Sequence, residues 1–96
     1  MTRAEFVEIT KHYHGNVGGW DIVLDNVSLA DFVIGCYYDR DTKMWKTYIN
    51  KERGRHRIRL ETSSEEQALE KLYSMIEFEN ENDVYYKEWQ AKKKQE

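Results

Sequence analysis

The chain has no proline, a single cysteine and only five glycines in its 96 residues. Without proline no segment is stopped by a locked φ or a missing N–H, so the breaks fall to glycine and to polar turn residues. One thiol, Cys36, excludes an intrachain disulfide and fits a reducing compartment. No apolar run reaches the length of a bilayer span, and Met1-Thr2-Arg3-Ala4-Glu5 lacks the apolar stretch of a signal peptide. A cytoplasmic globular protein is the expectation. A surplus of one charge is also missing: the net charge is −3, with no overall pull toward nucleic acid. Glycines 15, 18 and 19 form neither GxGxxG nor a P-loop and read as turn residues.

What the chain does have is charge and aromatic bulk. Charged residues make up 34% and aromatics 14%, and Trp20, Trp45 and Trp89 supply core material to an otherwise polar chain. The length fits one domain, 1–96, with a single core and a tail at 92–96 that is expected to fray.

Periodicity and punctuation order the elements. Thr2-Arg3-Ala4-Glu5 has capping-box spacing, and Phe6, Ile9 and Tyr13 follow at helical intervals, which predicts a helix from about Arg3 to His14 closed by Gly15. Val7, Ile9 and Tyr13 also suit a strand, so both readings stand for this segment. Asn16 to Gly19 reads as a loop. Trp20, Ile22 and Leu24 alternate with Asp21, Val23 and Asp25 as in a half-buried strand, and Phe32 to Tyr38 is the most apolar and central strand. Strands at about Met44–Asn50 and Arg55–Glu61 complete a meander around the turn-like Glu52-Arg53-Gly54-Arg55. Strand alternation sends Trp45, Thr47 and Ile49 to one face and Met44, Lys46, Tyr48 and Asn50 to the other. In the last strand it sends His56, Ile58 and Leu60 inward and Arg55, Arg57 and Arg59 outward. Ser63-Ser64-Glu65-Glu66 offers a helix cap, with Ser63 accepting and Glu66 reaching back. Ala68, Leu69, Leu72, Tyr73 and Ile76 then form one apolar stripe, and Asn80-Glu81-Asn82-Asp83 is expected to interrupt the helix before Val84–Lys94 resumes. The fold class is α+β: a two-layer domain with an antiparallel sheet of three to four strands and N- and C-terminal helices on one face. The opposite sheet face is left for water or a partner.

Signals for catalysis have simpler explanations. His12 and His14 share a face only on a strand, and no third ligand stands near them in sequence. His56 reads as a hydrogen-bonded strand histidine, and Cys36 as a small hydrophobe without a basic neighbour. Asp39 and Asp41 suit a turn. No enzyme activity, cofactor or metal site is expected. Charge patterning is more informative. Lys51, Arg53, Arg55, Arg57 and Arg59 crowd one hairpin, and outward arginines beside Tyr37, Lys46 and Tyr48 are what a single-stranded nucleic-acid platform needs. The plainer reading is a solvated face with pairs such as Arg57 with Glu52. Glu65 and Glu66 suit a helix N-terminus and argue against a double-stranded RNA-binding domain, which carries basic residues there. Glu77, Glu79, Glu81 and Asp83 have no capping role and form either a solvated edge or a patch for a basic partner. Tyr85, Tyr86 and Trp89 are candidates for a homodimer contact.

Trp45-Lys46-Thr47-Tyr48, Glu52-Arg53-Gly54, Ser64-Glu65-Glu66 and Ala68-Leu69 occur in an order that resembles small immunity proteins of bacterial polymorphic toxin systems. The likeness spans about residues 3–76. It implies a cytoplasmic inhibitor that binds a co-encoded toxin domain, with no catalytic residues to carry over. The charged segments, Glu52–Arg59 with Tyr48 and Glu77–Asp83, are then the expected partner-binding surfaces. The alternative is a small nucleic-acid-binding or regulatory module.

Overall fold

A computed structural model describes residues 1–94, including the side chains of residues 1–91. Of the tail expected to fray at 92–96, only the helical backbone of 92–94 lies within the described residues. The elements run α1 (Arg3–Thr10), β1 (Asn16–Val17), β2 (Trp20–Leu24), β3 (Val33–Asp39), β4 (Met44–Lys51), β5 (Arg55–Thr62) and α2 (Glu65–Lys94). The α+β class, the central place of β3 and the two helices on one face follow the pattern of the sequence. The sheet has five strands in the order β1-β2-β3-β4-β5 rather than three or four. It is also mixed, because β2 pairs with β3 in parallel.

Helix α1 starts as its capping box requires: Thr2 Oγ1 accepts the Glu5 N–H at 3.2 Å, and Glu5 Oε1 accepts the Thr2 N–H at 3.5 Å. Residues 3–10 are therefore helix and not strand. A 3-10 turn, Lys11–Tyr13, ends it, and His14 takes the left-handed cap expected of Gly15, which follows at φ 79°. Asn16 to Gly19, expected as a loop, instead carries β1 and its hairpin turn into β2. At α2 the cap lies one residue later than expected. Ser64 Oγ accepts the Gln67 N–H at 3.2 Å, so Gln67 takes the box position assigned to Glu66.

Helix α2 does not break at Asn80–Asp83. Asn and Asp lower helix stability by only a fraction of a kcal/mol each, about 0.7 at most, whereas Pro or Gly would cost more. Asp83 also pairs with Lys87 at 3.0 Å one turn on, and a Cβ placed on Gly18 would lie 3.2 Å from Asp83 Cβ and from Glu79 O. The glycine lets the β1–β2 turn seat against the helix where it was expected to end.

The core lies between helices and sheet. Phe6 of α1, Ile34 and Cys36 of β3, Ile49 of β4 and Ala68, Leu69, Leu72 and Ile76 of α2 are buried together, with Trp20, Ile22, Leu24 and Trp45 packed on them. Thr47 points the same way and donates its hydroxyl hydrogen to Ala68 O at 2.8 Å, which ties the helix to the centre of the sheet.

The parallel pair sets the other face. A parallel connection normally takes a dozen or more residues, yet only 25–32 joins β2 to β3. It suffices because the strands share just four register pairs, from Asp21↔Val33 to Leu24↔Cys36, a return path of roughly 13 Å at about 3.3 Å per residue. The segment crosses the sheet opposite the helices and is held there by side chains of β4. Tyr48 Oη accepts the Ser28 N–H at 3.0 Å and donates to Asn26 O at 2.9 Å. Asn50 Nδ2 donates to Ser28 O at 2.6 Å and Ala30 O at 3.0 Å. The Tyr48 ring lies over Gly35, where a Cβ would stand 2.7 Å from Tyr48 Cζ and from Val23 O. The face left for a partner is thus partly roofed by its own chain.

Two substitutions test this arrangement by urea unfolding. Gly35→Ala is expected to destabilise by at least about 1–3 kcal/mol, since a methyl group cannot fit beside a backbone oxygen in a packed sheet. Tyr48→Phe is expected to cost about 1–3 kcal/mol by leaving the Ser28 N–H without its acceptor. Equal stability of either variant to the wild type would refute the clamp.

Candidate functional site

Strand β5 places the arginines, and it does so through a bulge. Thr47 pairs with Leu60 but Tyr48 pairs with Ile58, so Arg59 is the extra residue. Beyond the bulge the alternation is reversed: Ile49 faces Arg57 and Asn50 faces His56. Arg55, Arg57 and Arg59 therefore stand on the helix side of the sheet, not on the outer face expected of them. His56 and Ile58 take the outer face, where His56 Nδ1 lies 2.5 Å from Asn50 Oδ1 and its ring 5.1 Å from that of Tyr48. Leu60, past the bulge, keeps its inward position.

Tyr48 does share a face with Tyr37 and Lys46, but it is 0% exposed. It presents no ring for stacking, and its place among the partner-binding residues is corrected: it is a structural clamp. Lys46 pairs with Asp39 at 2.8 Å and lies 3.7 Å from Glu61. The expected Arg57–Glu52 pair does not form. Among the described residues Arg53, Arg55, Arg57, Arg59, Lys51 and Lys71 make no ion pair within 4 Å.

All of these cations but Arg57 border two adjoining hollows. A groove of about 480 Å³ runs between α2 and the β4–β5 end of the sheet, with Trp20, Ile34, Ile49, Met75 and Phe78 as apolar walls. Lys51, Arg59 and Lys71 stand at its rim. A second hollow of about 350 Å³ shares Trp20 and Lys51 and adds Phe32, Glu52, Arg53 and Arg55. Glu79 is the acid of the groove. Its burial pushes the carboxyl pKa up, against the opposing effects of a Trp20 hydrogen bond and the Lys51 charge.

The acidic segment does not form one patch. Glu77 hydrogen-bonds Tyr73, Glu79 belongs to the groove, Asp83 pairs with Lys87, and Glu81 is exposed. Steps of two residues rotate successive carboxylates by about 200° around a helix, which scatters a cluster that looks dense in sequence. Sequence reasoning missed Trp20, Lys71, Met75 and Phe78 as groove residues. The signal available was Met75 and Phe78, which are large, apolar and off the Leu69–Leu72–Ile76 stripe.

Among the described residues no group of three His, Cys, Asp or Glu side chains is arranged to hold a metal ion, and no helix is long and apolar enough to cross a membrane. Cys36 is buried, and desolvation pushes its thiol up to about 11 despite a Thr47 hydrogen bond that works the other way. It stays protonated at neutral pH and has little nucleophilic character. No family model, curated protein or solved structure matches this chain.

The thiol gives a pH prediction. The folded state holds the Cys36 proton more tightly than the unfolded chain, whose cysteine titrates near 8.5. Stability from this group is complete below about pH 8.5 and is lost as pH rises toward 11. Tyr48, also raised by burial, acts in the same direction. Melting temperatures are expected to fall across that window, less steeply for Cys36→Ala. A thiol reagent at pH 8 is expected to label Cys36 only at the rate of unfolding, and rapid labelling of the folded protein would contradict its burial.

Proposed function

We propose that this chain is a non-enzymatic binding protein of the immunity type, acting in the cytoplasm, that neutralises a toxin domain by direct contact. The observation that carries the reading is the convergence of unpaired cations from three elements on one apolar groove. Arginines along an edge strand have a simpler use, because charge and a bulge discourage pairing with a second sheet. That use accounts for β5. It does not account for Lys51 of β4 and Lys71 of α2 at the rim of the same hollow. An apolar floor with a charged rim is the anatomy of a protein-binding surface, and its sign selects an acidic partner. The resemblance over residues 3–76 supports the same reading. The alternative, a nucleic-acid-binding module on the outer sheet face, has no observation in its favour now that Tyr48 and the arginines lie apart.

The test is growth of cells that express the toxin domain encoded beside this chain, with or without the chain itself. Wild type is expected to protect and to form a one-to-one complex. Lys51→Glu, Arg59→Glu and Lys71→Glu together are expected to slow association by about 10-fold or more. Because these side chains have no intrachain ion pairs, the thermal midpoint is expected to change little. If wild type neither binds nor protects, the immunity reading is wrong. If it protects and the triple variant associates as fast, the groove is not the interface.

A further inference from the structure

Helix α2 is longer than the domain it serves. Its 30 residues extend roughly 45 Å, and Ile76 is its last buried side chain among the described residues. From Ile76 to Lys94 the helix runs on for roughly 27 Å. An isolated helical segment of this length is marginal in water without packing; this one touches the domain at Phe78, Glu79 and Asp83, and beyond Asp83 its large side chains are exposed. Phe78 is 60% exposed, Tyr85 71%, Tyr86 59% and Trp89 48%.

The rings are not scattered. Phe78, Asn82, Tyr85 and Trp89 are spaced by four, three and four residues, the stagger of the seam in a two-stranded coiled coil. At about 100° per residue this line points away from the side that Leu69, Leu72, Ile76 and Asp83 turn to the sheet and to Gly18. The rings are also held in place: Gln90 Nε2 donates to Tyr86 Oη at 2.8 Å, and the Tyr86 and Trp89 centroids are 6.5 Å apart.

We propose that the overhang of α2 pairs with the same segment of a second copy of this chain, in parallel, along the line Phe78–Asn82–Tyr85–Trp89. The area is sufficient. Aromatic side chains bury roughly 150–250 Å² each, so the exposed fractions of the four rings leave roughly 400–500 Å² per copy. A symmetric pair removes about twice that, and its polar flanks bring the total to the ~1,000 Å² that a specific interface requires. Asn82 and the flanking charges fix the direction. A lone Asn on a seam meets its own copy in a parallel pair and sets register and number of strands. An antiparallel pair would bring Glu81 against Glu88 of the other copy, whereas a parallel pair sets Glu81 beside Tyr86. Lys71 lies on the same line one turn before Met75, so repulsion between copies confines the seam to the overhang. The seam meets the groove at Phe78, one of its walls, while Trp20, Lys51 and Arg59 lie outside the seam and Asn82, Tyr85 and Trp89 lie outside the groove.

Sedimentation of the full chain from low micromolar to sub-millimolar concentration is expected to reach twice the chain mass. Tyr85→Glu is expected to stay at the mass of one chain, with the core melting transition unchanged. Asn82→Cys supplies the only accessible thiol, since Cys36 is buried, and is expected to form a disulfide between copies under mild oxidation. A single-chain mass at every wild-type concentration overturns the proposal, as does a dimer that survives Tyr85→Glu. A dimer in which Asn82→Cys gives no disulfide overturns the parallel seam. Because Tyr85→Glu leaves the groove intact, its protection against the toxin is expected to match wild type. Loss of protection would assign the line of rings to the toxin instead.

Discussion

The structure depends on one phenol. Tyr48 sits at the centre of the sheet with its ring on Gly35 and its hydroxyl bonded twice to the segment 25–32. A ring that size needs a neighbour without a side chain, and Gly35 is that neighbour. A buried hydroxyl needs partners, and the backbone of 26–28 supplies them. The same bonds hold in place a connection that contributes little apolar burial itself: Val27 and Leu29 are exposed. Remove the clamp and the crossover that places β2 parallel to β3 loses the side-chain bonds that hold it to the sheet. Trp20, Ile22 and Leu24 would then be held against the core by the β2–β3 ladder and by their own packing.

A second constraint follows from the first. Thr47 must face α2 to reach Ala68 O while Tyr48 faces the crossover, and the bulge in β5 lies opposite that pair. One extra residue turns three arginines from the outer face to the helix side, where Arg59 joins Lys51 and Lys71 at the groove and Arg55 borders the adjoining hollow. A bulge of this kind reverses the side-chain alternation beyond it and bends the strand locally. The electrostatic character of the domain is therefore set by a backbone irregularity as much as by composition.

Most elements were legible because their signals are local. The Thr2–Glu5 box, the alternation at Trp20–Leu24 and the Ala68–Ile76 stripe each need only a few neighbours to be read. The sides taken by Arg55, Arg57 and Arg59 were not legible, because alternation carries no mark of a bulge whose cause lies on the facing strand. The parallel pairing of β2 and β3 was hidden for a similar reason: 25–32 looks too short for a crossover until the four-pair overlap is known. Continuity of α2 through Asn80–Asp83 depended on Gly18, distant in sequence. Of the site, the cations of the Lys51–Arg59 hairpin were visible, and the apolar groove they border was not. Trp20, Met75 and Phe78 come from different elements, and only the packed fold sets them together.

The crossover also has a consequence for the order of assembly. β3, β4, β5 and the start of α2 are joined by short turns, so their contacts close small loops at low entropic cost. β2 joins only once 25–32 has been fixed by Tyr48 and Asn50, which belong to the meander. On topology alone the domain is expected to build from its middle outward. During synthesis the N-terminal segment leaves the ribosome before the side chains that receive it have been made, and its Trp20, Ile22 and Leu24 wait in water until Asn50 has emerged.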